Sequence, residues 1–294
     1  MNKVKPDEVY HLAAQSYVDY SFDDEFSTLN SNINGTHYIL SAVKEFSQHS
    51  KFYFAGSSEM FGKAKVSPQD ENTPFHPRSA YGISKVAGYH LTQNYREAYN
   101  IFASNGILFN HESPLRGETF VSRKITRAAA RISLGIQNKL KLGNLNAKRD
   151  WGHAKDYVET MWLILQHKIP DDWVISTGLN FSVRDFTIKA FEKLDIKLKF
   201  QGNGLNEVGI IDEISQKSKL KKGDIVVEVD PDYFRPSEVE NLLGDSSKAK
   251  ANLGWEPKIT FQELVTEMME HDFNQAKRDS LIKEYGYKIF DYHE

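Results

Sequence analysis

Short apolar runs alternate with longer periodic ones over the first two-thirds of the chain. Glu8–Leu12 (EVYHL), Lys51–Ala55 (KFYFA), Ile101–Phe109 (IFASNGILF) and Trp173–Ser176 (WVIS) are short, aromatic or β-branched, and predict strands. Thr28–Phe46 predicts a helix with Ile33, Ile39, Leu40 and Val43 on its inner face. Ala80–Tyr99, Thr119–Leu134 and His153–Gln166 predict three more. Strand–helix alternation of this kind predicts an α/β fold, a doubly wound parallel sheet with helices on both faces. Ligands then sit beyond the carboxyl ends of the strands. The polar loops Ala13–Ser16, Gly56–Glu59 and Asn110–Arg116 fall there. From about residue 180 the pattern changes to helices and short strands with turn-rich links, including the Gly- and Lys-containing stretch Gly202–Gly223. The expected division is therefore 1–179 and a smaller mixed α/β region at 180–294, folded over the same strand ends.

Composition narrows the function. The 294 residues are 40% hydrophobic and 26% charged, with a net charge of -3, so electrostatics give no reason to expect nucleic acid or an anionic membrane as partner. There are no cysteines, which removes disulfides, thiolate metal sites and thiol nucleophiles together. That fits a cytoplasmic enzyme. Met1–Asp7 lacks the apolar run of a signal peptide, and no stretch approaches the roughly 20 apolar residues of a membrane span. The ten histidines show no His-x-x-x-His pairing with a nearby acid, so no metal is expected.

Tyr81 and Lys85 stand four residues apart on a predicted helix, and so on one face of it. A nearby cation favours phenolate and makes the tyrosine a usable general base. Alone, Tyr-x-x-x-Lys is a weak signal, fitting a surface helix equally well. The context strengthens it: Gly56-Ser57-Ser58-Glu59, ending a predicted strand, delivers hydroxyls and a carboxylate 22 residues before Tyr81.

In these motifs the chain resembles an extended short-chain dehydrogenase/reductase, most nearly the GDP-mannose 4,6-dehydratase family. The segments carrying the resemblance are KPDEVYHLAAQSYVDYSF, AGSSEMFG, PFHPRSAYGISKVAGYHLTQNYREAY, NGILFNHESPLRGETFVSRKITRA, LGNLNAKRDWGHAKDYVETMW and DPDYFRPSEVENLLGDSSKAKANLGW, from about Lys5 to Trp255. Related epimerases share Tyr-x-x-x-Lys but usually lack an acid at the position of Glu59. The resemblance implies C4 oxidation of a nucleotide sugar, elimination of water across C5 and C6, and return of the hydride to C6. Tyr81 would take the C4 hydroxyl proton, Lys85 would hold the nicotinamide ribose, and Glu59 would remove the C5 proton. Ser57 would hydrogen-bond the C4 oxygen; Ser58 or Glu59 would protonate the departing water. Leu12, Ala13, Ala14, Gln15, Ser16, His111 and Arg116 would line the cofactor, NADP rather than NAD. Ser58 and Asn110 would meet the substrate, GDP-mannose. Arg149 and Arg235 would clamp its pyrophosphate, and Lys124 and Glu238 would lie on the nucleotide side.

The family opens with a strand, a Gly-x-x-Gly-x-x-Gly turn and a helix. This sequence carries no such motif, and Met1 falls just before the strand that normally comes fourth. Gly202-Asn203-Gly204 does not lead into a predicted helix and is no substitute. The expectation is a partial Rossmann-like sheet in a fragment or mis-started chain; a partner chain supplying the segment, or a degenerate relative, are the alternatives. A second departure lies at Phe22–Phe26, one residue shorter than usual and with Phe26 in place of a tyrosine. A homodimer or homotetramer pairing through Thr28–Phe46 and Ala80–Tyr99 is also implied. The competing functions are another nucleotide-sugar dehydratase or epimerase, and a non-catalytic nucleotide-sugar-binding protein.

Overall fold

The computed structural model describes residues 1–215, 220–235 and 237–288. Residues 216–219 of the Gly- and Lys-containing stretch and Pro236 of the DPDYFRPSEV segment lie outside the described residues. Along the chain the elements begin with β1 (Glu8–His11), α1 (Tyr20–Asp23), α2 (Glu25–Leu29), α3 (Gly35–Phe46), β2 (Lys51–Ser57), α4 (Ala80–Tyr99), β3 (Ala103–Leu108) and β4 (Asn110–Glu112). They continue with α5 (Val121–Ser133), β5 (Leu140–Leu142), β6 (Lys148–Arg149), β7 (Trp151–His153), α6 (Ala154–Gln166), β8 (Asp172–Ile175) and β9 (Phe181–Ser182). The last are α7 (Val183–Glu192), β10 (Ile196–Gln201), β11 (Val208–Ile214), β12 (Ile225–Val229), α8 (Ser247–Leu253) and α9 (Phe261–Glu284).

The chain divides into two discontinuous units. The first comprises Met1–His111, Arg149–Asn180 and Pro236–Lys258; the second comprises Glu112–Lys148, Phe181–Arg235 and Ile259–Glu294. The sequence reading had two contiguous segments instead. The chain crosses between the units several times: residues 112–148 leave the first unit, 149–180 return to it, and 181–235 leave it again.

The first unit is built on a parallel sheet in the order β1-β2-β3-β8. Val9 pairs with Phe52, Phe54 with Asn105 and Ile107 with Val174. Along β2 the side chains alternate, as a pleated strand requires. Phe52 and Phe54 pack with Leu40, Val43, Tyr89 and Tyr95 of α3 and α4. Tyr53 packs on the opposite face with Tyr157, Ile164, Leu165 and Trp255. All six residues of β3 are buried, which is the signature of a strand covered on both faces. The expected doubly wound α/β architecture is therefore present.

The predicted helix at 28–46 differs in detail. It starts at Glu25 and is interrupted by a π-helical turn at Asn30–Asn34 before α3 begins. Three asparagines in five residues make a poor α-helical segment: Asn34 bonds Asn30, and the Asn32 side chain finds its partners outside the turn. α4 matches its expected span, from an Ser79 cap that accepts the Gly82 N–H to Asn100 in the left-handed conformation.

The second unit has an antiparallel β10-β11-β12 ribbon extended by β5, which pairs with β12 in parallel. Helices α5, α7 and α9 belong to it. Arg123, Arg127 and Arg131 lie on successive turns of α5, and all three are ion-paired: with Asp272, Glu118 and Asp279 respectively. Among the described residues no helix is long and apolar enough to cross a membrane, and no group of three or more His, Asp or Glu could hold a metal.

One buried polar network fixes α4 at the amino-terminal ends of β3 and β8. The Asp172 carboxylate accepts hydrogen bonds from Tyr89 Oη (2.9 Å), Gln93 Nε2 (2.7 Å) and Asn105 Nδ2 (2.7 Å). Arg96 approaches it in a bidentate manner, at 3.0 and 3.1 Å. Burial alone raises the Asp172 carboxyl; the Arg96 guanidinium and the amide donors outweigh it, and the net shift is downward. A depressed folded-state value gives stability that is complete above the ordinary aspartate pKa and lost as pH falls through the folded one. We therefore expect Asp172→Asn to cost about 3–5 kcal/mol at pH 7. Urea titrations should show that deficit shrinking below about pH 4.

Candidate active site

The catalytic candidates converge at the carboxyl end of β2. Ser57 ends the strand, and Ser58–Met60 forms a 3-10 turn in which the Ser57 hydroxyl accepts the Glu59 N–H at 3.2 Å. Ser58 and Glu59 are both buried. α4 is seated directly against this turn because Gly82 has no side chain: a Cβ there would lie 2.8 Å from the Glu59 carbonyl oxygen. Tyr81, the residue before Gly82, is buried at the same junction. Lys85 is 5% exposed; its Nζ donates to Ala55 O at 2.9 Å and lies 5.7 Å from the Tyr81 ring centre. Burial lowers the Lys85 ammonium to about 8, so it stays cationic at neutral pH but close to titration.

The segment Leu12–Ser16 follows β1 and is tied to α4 by residues that sequence reasoning missed. Asn32, in the π-helical turn, pairs with the Gln15 backbone as a strand would: Gln15 N–H donates to Oδ1 at 2.8 Å and Nδ2 donates to Gln15 O at 3.0 Å. Its Nδ2 also donates to Ser84 Oγ at 2.9 Å, and Ser84, between Tyr81 and Lys85, donates to Tyr81 O at 2.7 Å. Asn32 O accepts from the Thr36 hydroxyl, whose oxygen meets His11 Nε2 at 3.1 Å. Since the Thr36 proton is committed, His11 Nε2–H is the donor. Burial, then the charge of Lys85, lowers His11 to about 4, so no second cation forms beside Lys85 at neutral pH. The run of asparagines was the signal available for this network.

Leu12, Ala13 and Ser16 are exposed just beyond β1, while Ala14 and Gln15 are half-buried. Gln15 Oε1 is buried and has no hydrogen-bond partner among the described residues. An orphaned acceptor beside small, exposed residues suits a bound polar group such as a nucleotide cofactor. Asn110 and His111 lie in β4, half-buried, with His111 Nδ1 donating to Phe109 O at 2.8 Å.

The remaining cations fall into both units. In the first, Arg149 is 7% exposed and its Nη1 donates to Val239 O at 2.7 Å, beside Glu238, whose Oε2 is buried without a hydrogen-bond partner among the described residues. The neighbouring Asp150 is fully buried and accepts from Thr177 N–H, Thr177 Oγ1 and Gly178 N–H, which anchors the strand that carries Arg149. In the second unit, Arg116 pairs with Glu112 at 3.2 Å and lies 3.6 Å over the Phe120 ring. Lys124 sits 3.1 Å over the ring of Tyr233, two residues before Arg235, which is half-buried. Both arrangements fix a long cation by its apolar stem and a ring face.

Comparison with known proteins follows the same lines. The family profile described as GDP-mannose 4,6 dehydratase matches residues 1–268. The chain is 49% identical over 293 residues to GDP-mannose 4,6-dehydratase of Vibrio cholerae, covering 98% of this chain and 79% of that protein. It is 50% identical over 274 residues to GDP-mannose 4,6 dehydratase of Homo sapiens, covering 92% and 72%. Among solved structures, RMD from Pseudomonas aeruginosa complexed with NADPH superposes with a TM-score of 0.75 at 23% identity, covering 92% of this chain and 82% of that one. DesIV, a dTDP-glucose 4,6-dehydratase from Streptomyces venezuelae with NAD and TYD bound, does so with a TM-score of 0.75 at 18% identity, covering 92% and 74%. At those identities the superpositions speak for the fold, and the family match rests on the sequence over nearly the whole chain. The chain belongs to the GDP-mannose 4,6-dehydratase family.

Proposed function

We propose that this chain carries the conversion of GDP-mannose to GDP-4-keto-6-deoxymannose, a nucleotide-sugar hydro-lyase reaction with a nicotinamide cofactor, NADP. The observation that carries the reading is the junction of β2 and α4, where buried Glu59, Tyr81 and Lys85 lie on elements joined by the close approach of Gly82 to the Glu59 carbonyl and by the Lys85–Ala55 hydrogen bond. An oxidoreductase that only transferred hydride would need the Tyr81–Lys85 pair alone. Glu59 adds a base for carbon, and so an elimination.

A bound nicotinamide would supply the acceptor, and later the donor, of one hydride. Leu12–Ser16, Lys85, His111 and Arg116 are the residues that would hold it. The chain's own groups do the rest. Lys85, cationic below about pH 8, favours the phenolate of Tyr81, which takes the proton of the sugar C4 hydroxyl. Ser57 Oγ, on the strand end before Glu59, donates to the C4 oxygen. A ketone at C4 acidifies C5–H, and Glu59 removes that proton; its burial keeps competing water away from the carboxylate. Ser58 or Glu59 then protonates the departing C6 hydroxyl. Arg149 and Arg235 are assigned to the pyrophosphate, Lys124 and Glu238 to the nucleoside end, and Asn110 to the sugar diphosphate.

NADP over NAD, a cytoplasmic location and a homodimer or homotetramer belong to the same proposal. Exposed Tyr38 on α3 and Ile83 on α4 support pairing of those helices with a second copy.

Incubation with GDP-mannose and NADP should give the 4-keto-6-deoxy product. Turnover of a UDP- or dTDP-sugar, with none from GDP-mannose, would overturn the substrate assignment. Glu59→Gln should reduce product formation by about 10²–10⁴ while leaving nucleotide binding intact in a calorimetric titration. Lys85 gives a pH prediction. Its folded value lies below the unfolded one, so the cost of burying its charge is complete below about pH 8 and fades as pH rises. Relative to Lys85→Met, the parent chain should therefore gain on the order of 2–3 kcal/mol in urea stability between pH 7 and 10.

A further inference from the structure

The RDWGHAKDYV segment marks the family strongly, yet the proposed chemistry uses only Arg149 from it. Two of its other residues build a platform under His111. The His111 ring stacks on Tyr157 with centroids 4.9 Å apart and planes inclined by 20°. Its Nδ1 meets Phe109 O at 2.8 Å, and a carbonyl only accepts, so Nδ1 carries a proton. Stacking sets the plane of the imidazole, and the hydrogen bond sets its rotation within that plane.

Tyr157 is held from two sides. It is fully buried in the first turn of α6, with Trp255 edge-on at 6.1 Å and 84°. Trp255 is itself fixed, its Nε1–H donating to Asp156 O at 2.9 Å. The Asp156 carboxylate in turn accepts the Lys258 N–H at 3.0 Å. Opposite lies Gly152 of β7, where a Cβ would stand 2.4 Å from Tyr157 Cε2 and 3.0 Å from its hydroxyl. Glycine at 152 is therefore what gives the tyrosine ring its seat.

We infer that Tyr157, seated between Gly152 and Trp255, is a positioning residue that presents the His111 imidazole to the cofactor; the inference rests on the proposed cofactor role of His111. Tyr157→Phe keeps the ring face and should bind NADPH within about twofold of the parent in a fluorescence titration. Tyr157→Leu and Gly152→Ala should each weaken NADPH binding about three- to tenfold, and should add nothing further in a His111→Ala background. Two-bond proton–nitrogen spectra of the imidazole should show the Nδ1–H form in the parent and a mixture of tautomers in Tyr157→Leu and Gly152→Ala. An equal loss of affinity with and without His111 would assign Tyr157 to the core alone and overturn the inference. Unchanged affinity in His111→Ala would instead remove His111 from the cofactor site, while the spectra would still report whether the platform holds its ring. Should Tyr157→Leu fail to fold, Gly152→Ala retains the tyrosine and carries the same comparison.

Discussion

The chemistry of this protein depends on where α4 lies against the parallel sheet. At one end the Asp172 network binds Tyr89, Gln93 and Arg96 of the helix to β3 and β8. At the other, Lys85 bonds the Ala55 carbonyl and Gly82 lies against the Glu59 carbonyl. Between them Phe54 and Phe52 pack with Tyr89 and Tyr95. A rigid 20-residue helix fixed at both ends cannot slide or rotate without breaking buried polar contacts, each expensive to leave unmade. Tyr81 and Glu59 lie on different elements, and this double anchoring is what gives them a constant relation.

The same anchoring explains why charge is stored at the site in an uncomfortable state. Lys85 is nearly fully buried and pushed down to about 8, and His11, close enough to feel its charge, is pushed to about 4. A fold optimised only for stability would place apolar side chains there. Keeping His11 neutral leaves Lys85 as the one cation of this pair at neutral pH, so its field acts on Tyr81 undivided. The Thr36–Asn32–Ser84 chain of hydrogen bonds carries the cost of a widened helical turn and returns a fixed distance between the Leu12–Ser16 segment and α4.

Much of this was legible in the sequence. The strands, α4 and α6 follow from apolar runs and apolar period, and the Tyr81–Lys85 spacing states its own geometry. Asn32 was not legible, because an asparagine-rich turn inside a helical stretch reads as a weak helix, and only the fold brings Gln15 and Ser84 to it. The discontinuous units were not legible either: residues 112–148 and 149–180 are both helix-and-strand, and nothing local says to which body each belongs. The arginines of α5 show the same limit. Arg123 and Lys124 are adjacent in sequence, yet the first is committed to Asp272 and backbone carbonyls while the second stands over the Tyr233 ring.

That contrast separates two uses of positive charge in this chain. Arg123, Arg127 and Arg131 each face a carboxylate, and a buried, paired guanidinium orients helices and has little capacity left for a ligand. Lys124 rests on an aromatic face, which steers the side chain, and Arg116 combines both supports, the Phe120 ring and the Glu112 carboxylate. Arg149 directs one nitrogen at the Val239 carbonyl, a neutral acceptor that aims the side chain. In the proposed assignment Arg149 and Lys124 serve the substrate and the α5 arginine ladder serves structure, and what each charge rests on supports that division.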